Sequence, residues 1–329
     1  MRTYLGVDGG GSKTAFVLID WQGTVLASHA EGPAYHLEIG FDALRSMIAR
    51  GVRATLERGG VASADLAYAF LGLPAYGEDS RLLPELDSIA APTLSPDRFR
   101  CGNDMICGWA GALAGQDGIN VVAGTGSIAY GAFEGRTARA GGWGELFGDE
   151  GSAFWIAREG LALFSRMSDG RLPRSALYRI VRKHFGVQHD LDVCAAIHGQ
   201  NAAQRSQFAQ LSRLVTQAAG DGDLLATALL ARAADELGDS IDAVRRQLEV
   251  PGSLALPLSY SGGLFESADW ILKPLRAALE ARRTAYRLVE PQLPPAAGAA
   301  LYAATLGGMP LGPAAVDALA RNVRAPAAA

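Results

Sequence analysis

Apolar residues in the first part of the chain form short β-prone runs separated by polar or glycine-rich turns. Three runs joined by tight turns predict an antiparallel meander, and a later stretch carries apolar side chains at helical spacing. A second helix is predicted to start on an acidic residue. The predicted elements are strands over 3–8, 14–20 and 24–30, a helix over 41–58, strands over 67–73 and 99–103, and a helix over 104–114.

The arrangement of strand, glycine-rich turn and strand begins again after residue 116, and the pattern then becomes mostly helical. We therefore predict two α/β domains, over 1–116 and 117–308, and a weakly ordered tail over 309–329 that contains a weak helix. The elements predicted for this half are strands over 120–123, 128–133 and 136–140, helices over 153–167, 174–185 and 223–248, a strand over 254–260, a helix over 265–281, a strand over 285–289 and a helix over about 296–306.

The composition is that of a globular protein with a substantial core, since 49% of the 329 residues are hydrophobic and 19% are charged. A net charge of −4 and the lack of a basic run argue against a nucleic-acid partner. Three cysteines without CxxC spacing indicate neither a disulfide framework nor a structural zinc site. We find neither a signal-peptide pattern nor a long apolar run, and so expect a cytoplasmic protein with no membrane partner.

The first glycine-rich turn follows the first predicted strand and reads Asp8-Gly9-Gly10-Gly11-Ser12-Lys13. Tandem glycines let backbone N–H groups converge on an anion, with no Cβ in the way of a phosphate. Asp8, at the strand end, is placed to hold Mg²⁺ through water, and Ser12 and Lys13 can donate to phosphate oxygens. The turn differs from a Walker A motif because its glycines link two strands. An ordinary glycine-rich hairpin is the alternative.

Two further glycine-rich turns lie in the second half: Gly124-Thr125-Gly126-Ser127 between two strands, and Ser261-Gly262-Gly263 between a strand and a helix. Because the first of these starts a second meander, a nucleoside triphosphate could be held between it and the turn after Asp8. A helix N-terminus without a side chain in the way suits an adenosine or α-phosphate contact. A simple strand-to-helix turn is the alternative for the last one.

The segment from Gly141 to Ser152 holds an indole and several carboxylates in a glycine-rich backbone. Such a backbone loses much entropy on folding, which makes sense where a ligand must approach closely. Sugars fit this combination, because their C–H faces lie on aromatic rings such as Trp143 and their hydroxyls donate to carboxylates such as Asp149. The alternative is a buried tryptophan beside a helix N-terminus that Asp149 or Ser152 caps.

The motifs DGGGSKT, GTGS and a late GG after a strand resemble, in this order, the sugar kinase/Hsp70/actin superfamily. With GGWG…GDEGS the chain is similar, from about Tyr4 to Gly307, to the N-acetylglucosamine kinase branch of the BadF/BadG/BcrA/BcrD ATPase family. The resemblance implies an α/β fold of two actin-like (ribonuclease H-like) domains with a central cleft for nucleotide and sugar. We expect the helix over about 296–306 to pack back on the first domain.

The resemblance implies transfer of phosphate from Mg-ATP to the 6-hydroxyl of an amino sugar, N-acetyl-D-glucosamine first and D-glucosamine second. Asp104 matches the catalytic base, and an ordinary aspartate is already ionised at pH 7, so no raised pKa is expected of it. A helix N-cap is the alternative role for Asp104, and both can hold together. The remaining implied contacts are Asp8 through Lys13, Gly124, Thr125, Gly126, Gly262, Gly263 and Ser267 for the nucleotide, and Ser127, Gly142, Trp143 and Asp149 for the sugar.

One loop departs from the family pattern, since Tyr35 falls about where an asparagine helps to bind the sugar. This leaves open whether the acetyl group is required. We interpret the adjacent His36 as a surface residue rather than as a replacement ligand.

Two other functions are less favoured: an activator ATPase, which would need Cys101 and Cys107 for an iron–sulfur cluster, and a sugar sensor without turnover. A homodimer is the assembly that the resemblance implies.

Overall fold

The computed structural model describes residues 2–11, 13–198, 204–266, 268–282 and 284–324. Within these ranges the contacts divide the chain into two compact units, the first comprising residues 1–120 and 289–329 and the second residues 121–288. Each unit contains one five-stranded sheet with helices packed on it, so both are of the α/β class. The first unit is built from two separate stretches of the chain.

The first sheet has the strand order β3-β2-β1-β4-β5 and the second the order β10-β9-β6-β7-β8. The strands β1, β2 and β3 form the predicted antiparallel meander, whereas β4 pairs in parallel with β1 and with β5. The strands are β1 Thr3–Gly9, β2 Thr14–Asp20, β3 Val25–Glu31, β4 Leu66–Leu73, β5 Phe99–Asn103, β6 Gly118–Ala123, β7 Ser127–Phe133, β8 Arg136–Gly141, β9 Leu256–Ser261 and β10 Tyr286–Leu288.

The α-helices lie mostly where the apolar spacing predicts them, and the short ones over 36–39, 83–87, 192–198, 205–209 and 212–220 were not predicted. The helices are α1 His36–Ile39, α2 Phe41–Arg58, α3 Leu83–Asp87, α4 Met105–Ala112, α5 Ala153–Ser168, α6 Ala176–Phe185, α7 Asp192–His198, α8 Arg205–Ala209, α9 Ser212–Gly220, α10 Leu224–Gln247, α11 Ala268–Ala281, α12 Pro295–Leu306 and α13 Pro313–Arg324. Among the described residues, no helix is both long and apolar enough to cross a bilayer.

The sheet of the first unit is covered on both faces. Leu44, Ile48 and Val52 of α2 recur every four residues and are buried in one cluster with Val7 of β1. On the other face, α12 approaches the backbone of β1 so closely that a Cβ on Gly6 would lie 2.2 Å from the backbone nitrogen of Ala300. The glycine therefore sets the distance between this strand and α12.

In the C-terminal region, where a weak helix is predicted within the tail, residues 313–324 form α13. Leu319 is fully buried, and Val316, Ala320 and Val323 pack against the same cluster. This spacing of three, four and seven residues gives the helix one apolar face. The high alanine and proline content hid this face in the sequence. Residues 325–329 lie outside the described residues.

Candidate active site

The first glycine-rich turn joins β1 to β2 in the first unit. The Gly10 N–H donates to the Lys13 carbonyl at 3.0 Å, and the Ala34 N–H donates to the Gly10 carbonyl at 3.0 Å. A Cβ on Gly9 would lie 2.8 Å from the carbonyl oxygen of Gly72, whereas one on Gly11 would meet nothing within 4 Å. Gly9 is therefore needed for packing, and Gly11 leaves open space beside the backbone. Ser12 lies outside the described residues.

Two aspartates lie at neighbouring strand ends of this unit. Asp8 of β1 pairs in parallel register with Gly72 of β4, and Gly72 pairs with Gly102 of β5. Asp104 follows β5 directly, and its N–H donates to the Leu73 carbonyl at 3.3 Å. A Cβ on Gly72 would lie 3.1 Å from the Cα of Asp104. The missing side chain at position 72 thus lets Asp8 and Asp104 lie near each other at one sheet edge.

The two carboxyl groups influence each other. Burial raises the pKa of Asp8 to about 6, opposed by the thiol of Cys107 and the charge of Lys13. Burial, and then the charge of Asp8, raise the pKa of Asp104 to about 7. The expectation that Asp104 behaves as an ordinary aspartate is therefore wrong, because the sequence shows neither its burial nor its acidic neighbour. Asp104 also stands at the N-cap position of α4, but its side chain makes no capping hydrogen bond.

The loop that carries Tyr35 and His36 contacts the first turn through the hydrogen bond from Ala34 to Gly10. Tyr35 is half-buried at the N-cap position of α1. The interpretation of His36 as a surface residue is wrong, because its side chain is buried and its ring centroid lies 4.9 Å from that of Phe41. Its Nδ1 has no hydrogen-bond partner among the described residues. Burial lowers the pKa of His36, so that the ring is neutral at pH 7.

The other two glycine-rich turns adjoin each other in the second unit. Gly262 has φ +101°, and a Cβ on it would lie 2.3 Å from the carbonyl oxygen of Ala123. A Cβ on Gly124 would lie 3.9 Å from the nitrogen of Gly263. The structure thus brings together two turns that the sequence analysis had assigned to the same nucleotide. Ser267, assigned with them, lies outside the described residues.

The turn formed by Gly124, Thr125 and Gly126 is tied to the start of α5. The N–H groups of Ala153 and Phe154 donate to the carbonyls of Gly124 at 2.9 Å and Thr125 at 3.3 Å. These contacts fix the carbonyl side of the turn against the helix.

The glycine-rich segment before α5 presents its tryptophan to solvent. Trp143 is 68% exposed, which contradicts the alternative of a buried tryptophan. The other part of that alternative holds, because the Ser152 hydroxyl caps α5 by accepting from the Trp155 N–H at 3.1 Å. The Gly142 N–H donates to the Ser127 carbonyl at 2.9 Å, and the Ser127 hydroxyl donates to the Glu150 carbonyl at 2.7 Å. Ser127 therefore holds this segment at both ends.

Asp149 is buried in the same segment, with 2% of its surface exposed and a left-handed φ of +54°. A Cβ on Gly126 would lie 2.7 Å from its Oδ2, so the carboxylate lies against the second glycine-rich turn. Burial raises the pKa of Asp149, although Arg205 pairs with it and opposes the shift. Arg205 lies 56 residues further along the chain and in no motif, so no pattern in the sequence points to it.

The cysteines of the first unit are also buried. The Cys107 thiol lies 3.6 Å from the Val7 carbonyl and bonds to the Asp8 carboxyl. Burial raises the pKa of both the Cys101 and the Cys107 thiols. Buried, protonated thiols are poor ligands for an iron–sulfur cluster, which needs thiolates. The contact of Cys107 with Asp8 was not foreseen from the sequence.

The model of the BadF/BadG/BcrA/BcrD ATPase family matches residues 5–303 of the chain. The chain belongs to this family. Membership implies the use of ATP, and it confirms the resemblance that the glycine-rich motifs indicate. The family includes proteins with different activities, so the relatives that are named individually narrow the function further.

Those relatives are named as sugar kinases. The N-acetyl-D-glucosamine kinase of Dictyostelium discoideum is 26% identical over 91% of this chain and 97% of its own length. The glucosamine kinase GspK of Vibrio cholerae is 28% identical over 72% of this chain and 78% of its own. A solved structure from Chromobacterium violaceum, named as a candidate N-acetylglucosamine kinase, is 30% identical, with a TM-score of 0.71 over 92% of this chain and 98% of that one. The predicted sugar-kinase fold of two actin-like α/β domains is confirmed.

Proposed function

We propose that this protein is an ATP-dependent amino-sugar kinase that phosphorylates the 6-hydroxyl of N-acetyl-D-glucosamine. The relatives that match most of the chain support the reaction type and the substrate class. The single observation that carries the mechanism is the position of Asp104 beside Asp8, at the strand edge that also bears the first glycine-rich turn.

Asp104 is the general base. As the sugar oxygen bonds to the γ-phosphorus, the bond from that phosphorus to the bridging oxygen of ADP breaks, and Asp104 takes the hydroxyl proton. This role needs the ionised carboxylate, and a pKa near 7 makes Asp104 a better proton acceptor than an ordinary aspartate. The rate should therefore rise with pH through the range in which Asp104 loses its proton.

The nucleotide is bound by the glycine-rich turns. Backbone N–H groups over 9–11, with Ser12 and Lys13, contact the phosphates, and the turn over 124–126 contacts the transferred group. Gly262, Gly263 and Ser267 flank the adenosine. Asp8 suits a hard cation because it offers carboxylate oxygen and its surroundings carry excess negative charge. Mg²⁺ held at Asp8 through water, as the resemblance implies, would neutralise part of the phosphate charge.

The sugar is bound by residues of the segment before α5 and by its neighbours. Trp143 offers its exposed face to the C–H groups of the ring, and Asp149 accepts from the hydroxyls. Ser127, Gly142 and Tyr35 complete the contacts. D-Glucosamine is the second candidate substrate, because the Vibrio cholerae relative is a glucosamine kinase and Tyr35 replaces the usual asparagine.

A coupled assay of ADP release tests the proposal, with glucosamine, N-acetylglucosamine, N-acetylmannosamine, glucose and muramic acid derivatives as acceptors. We expect an N-acetylglucosamine-dependent rate that Asp104→Asn lowers by about 10²-fold or more, with little change in ATP affinity. Phosphorus NMR of the product assigns the acceptor hydroxyl. A variant that keeps its kcat would show that Asp104 is not the base, and ADP release without any acceptor would favour the activator ATPase.

Trp143→Ala tests the sugar assignment separately. Because the side chain is 68% exposed, its loss should change the free energy of unfolding by less than about 0.5 kcal/mol. The sugar KM should rise by roughly tenfold while the ATP KM stays the same. Steady-state kinetics and urea unfolding measure both effects. An unchanged sugar KM would remove Trp143 from the binding site.

A further inference from the structure

The guanidinium of Arg205 lies between two carboxylates at the second glycine-rich turn. It forms an ion pair with the buried Asp149, and its Nε lies 2.9 Å from the Oε2 of Glu145. A Cβ on Gly126 would meet the Nη2 of Arg205 at 2.8 Å and the Oδ2 of Asp149 at 2.7 Å. Arginine, aspartate and glycine backbone are therefore in mutual contact, and a bulkier residue than glycine at position 126 would separate them.

Packing fixes the place of this arginine. Arg205 is the first residue of α8, whose N-terminus is capped by reciprocal bonds between Gln204 and Gln207. The Phe208 ring of α8 packs against the Phe154 ring of α5, with centroids 4.5 Å apart and the rings tilted by 37°. The helix is thereby attached to α5, which also bonds the turn over 124–126. The packing of α8 on α5 therefore holds Arg205 near the turn.

Arg205 is the cation that faces Asp149. The other charged groups near this carboxylate are Glu145 and Glu150 of the same segment, with Arg158 of α5 bonded to the Glu145 carbonyl and Glu236 of α10 near Glu150. Without Arg205, a buried carboxylate beside further acids would favour its protonated form. Protonation turns one carboxylate oxygen into a hydroxyl donor and removes the negative charge, so the group accepts hydrogen bonds from sugar hydroxyls more weakly.

We propose that Arg205 is a positioning residue for the sugar: it keeps Asp149 ionised and aimed along the Gly126 turn, so that the carboxylate accepts from the sugar hydroxyls. This inference rests on the proposed function, since it assumes that Asp149 binds the sugar. It gives Arg205 no contact with the reacting atoms. Its removal should therefore affect sugar binding and leave the chemical step largely intact.

The first test compares Arg205→Gln with the wild type at pH 6 and pH 8. The ratio of their sugar KM values should exceed about tenfold at pH 6 and should be smaller at pH 8, because a higher pH favours the ionised form of Asp149. Taking the ratio removes the pH dependence of Asp104, which both proteins share. The ratios of kcat and of ATP KM should stay within about threefold. Arg205→Lys, which keeps the charge, should restore most of the sugar affinity.

Two further variants separate positioning from a structural role. In the Asp149→Asn background, adding Arg205→Gln should no longer give a pH-dependent KM ratio, because the titrating carboxylate is gone. Arg232→Gln is the matched control, since Arg232 pairs with Glu159 on the same unit and lies over Trp155. It should change none of the kinetic constants by more than about twofold.

The outcomes distinguish this inference from the proposed function. If the wild type phosphorylates no sugar, the proposed function fails and calorimetric titration with N-acetylglucosamine decides whether the site binds sugar at all. If the wild type is active but Arg205→Gln raises the KM equally at both pH values, or lowers kcat alone, the inference is overturned and the kinase assignment stands.

Discussion

In Asp104, catalysis requires the ionised carboxylate, whereas burial makes that ionised form unfavourable for the stability of the fold. Its folded pKa of about 7 lies above the ordinary 3.8, mainly because the carboxylate is desolvated and then because Asp8 is near. Between these two values the folded protein binds more protons than the unfolded chain. Its contribution to stability is therefore greatest at low pH and is lost as the pH rises toward 7. An ionised base at this place destabilises the fold.

Asp104→Asn should consequently make the protein more stable at pH 8 while abolishing most of its activity. Asparagine has nearly the same shape and carries no charge, so the gain in the free energy of unfolding should be about 1–2 kcal/mol at pH 8. This is less than the whole shift implies, because the side chain retains some contact with solvent. At pH 5 the gain should be less than half as large, because the folded carboxyl is protonated there while the unfolded one is mostly ionised. Urea unfolding of both proteins at the two pH values measures it, and equal stability at pH 8 would contradict the raised pKa.

At the scale of single residues, the sequence indicated candidate side chains but not their surroundings. Asp8 and Asp149 stand out because they border glycine-rich turns, and Asp104 because it matches the base position of the family. Burial was misjudged for His36, and Arg205 was missed. Both depend on residues far away in the chain, and local pattern carries no information about such contacts.

At the scale of elements, glycines in one turn serve two different purposes. A Cβ on Gly9 would lie 2.8 Å from the Gly72 carbonyl oxygen and 3.0 Å from the Cβ of Ala34. Gly11, two residues later, is exposed and has nothing within 4 Å. The fold therefore explains glycine at position 9 but not at position 11. The proposed phosphate contact accounts for Gly11, since it needs this open space.

The alanine variants of these two glycines separate packing from binding. Gly9→Ala should lower the free energy of unfolding by about 1–3 kcal/mol, because neither backbone nor Ala34 can move away easily. Gly11→Ala should change it by less than about 0.5 kcal/mol and yet raise the ATP KM roughly tenfold. Thermal unfolding and ADP-release kinetics measure the two effects. An unchanged ATP KM in a well-folded Gly11→Ala would place the phosphates elsewhere.

The type of an element was predictable where the hydrophobic period of a stretch and the turn residues at its ends indicate the same structure. The meander over β1 to β3 and the long helices α2 and α10 lie within a few residues of their predicted bounds. The short helices α7 and α8 were missed, because neither carries a sustained apolar period. The same limit hid Arg205, since the helix that presents it was not foreseen.

At the scale of the whole molecule, the first unit requires both ends of the chain. Tyr302 of α12 lies edge-on to Phe70 of β4, with ring centroids 4.9 Å apart, and also to Trp109 of α4 at 6.0 Å. Gly6 of β1 meets the backbone of α12. Without residues 289–329, one face of this sheet and one side of α4 would lose their apolar cover. The second unit, by contrast, is formed by one continuous stretch.

Fragments should reflect this difference. We expect residues 117–288 to fold alone, because that stretch contains a complete five-stranded sheet and its helices. Residues 1–116 alone should stay unfolded or aggregate, since the apolar surface that α12 covers would be exposed. Joining residues 289–329 to the start of 1–116 through a flexible linker should restore cooperative folding. Circular dichroism and the dispersion of amide NMR signals measure the outcome. A dispersed spectrum and cooperative unfolding for 1–116 alone would show that α12 adds stability but does not decide the fold.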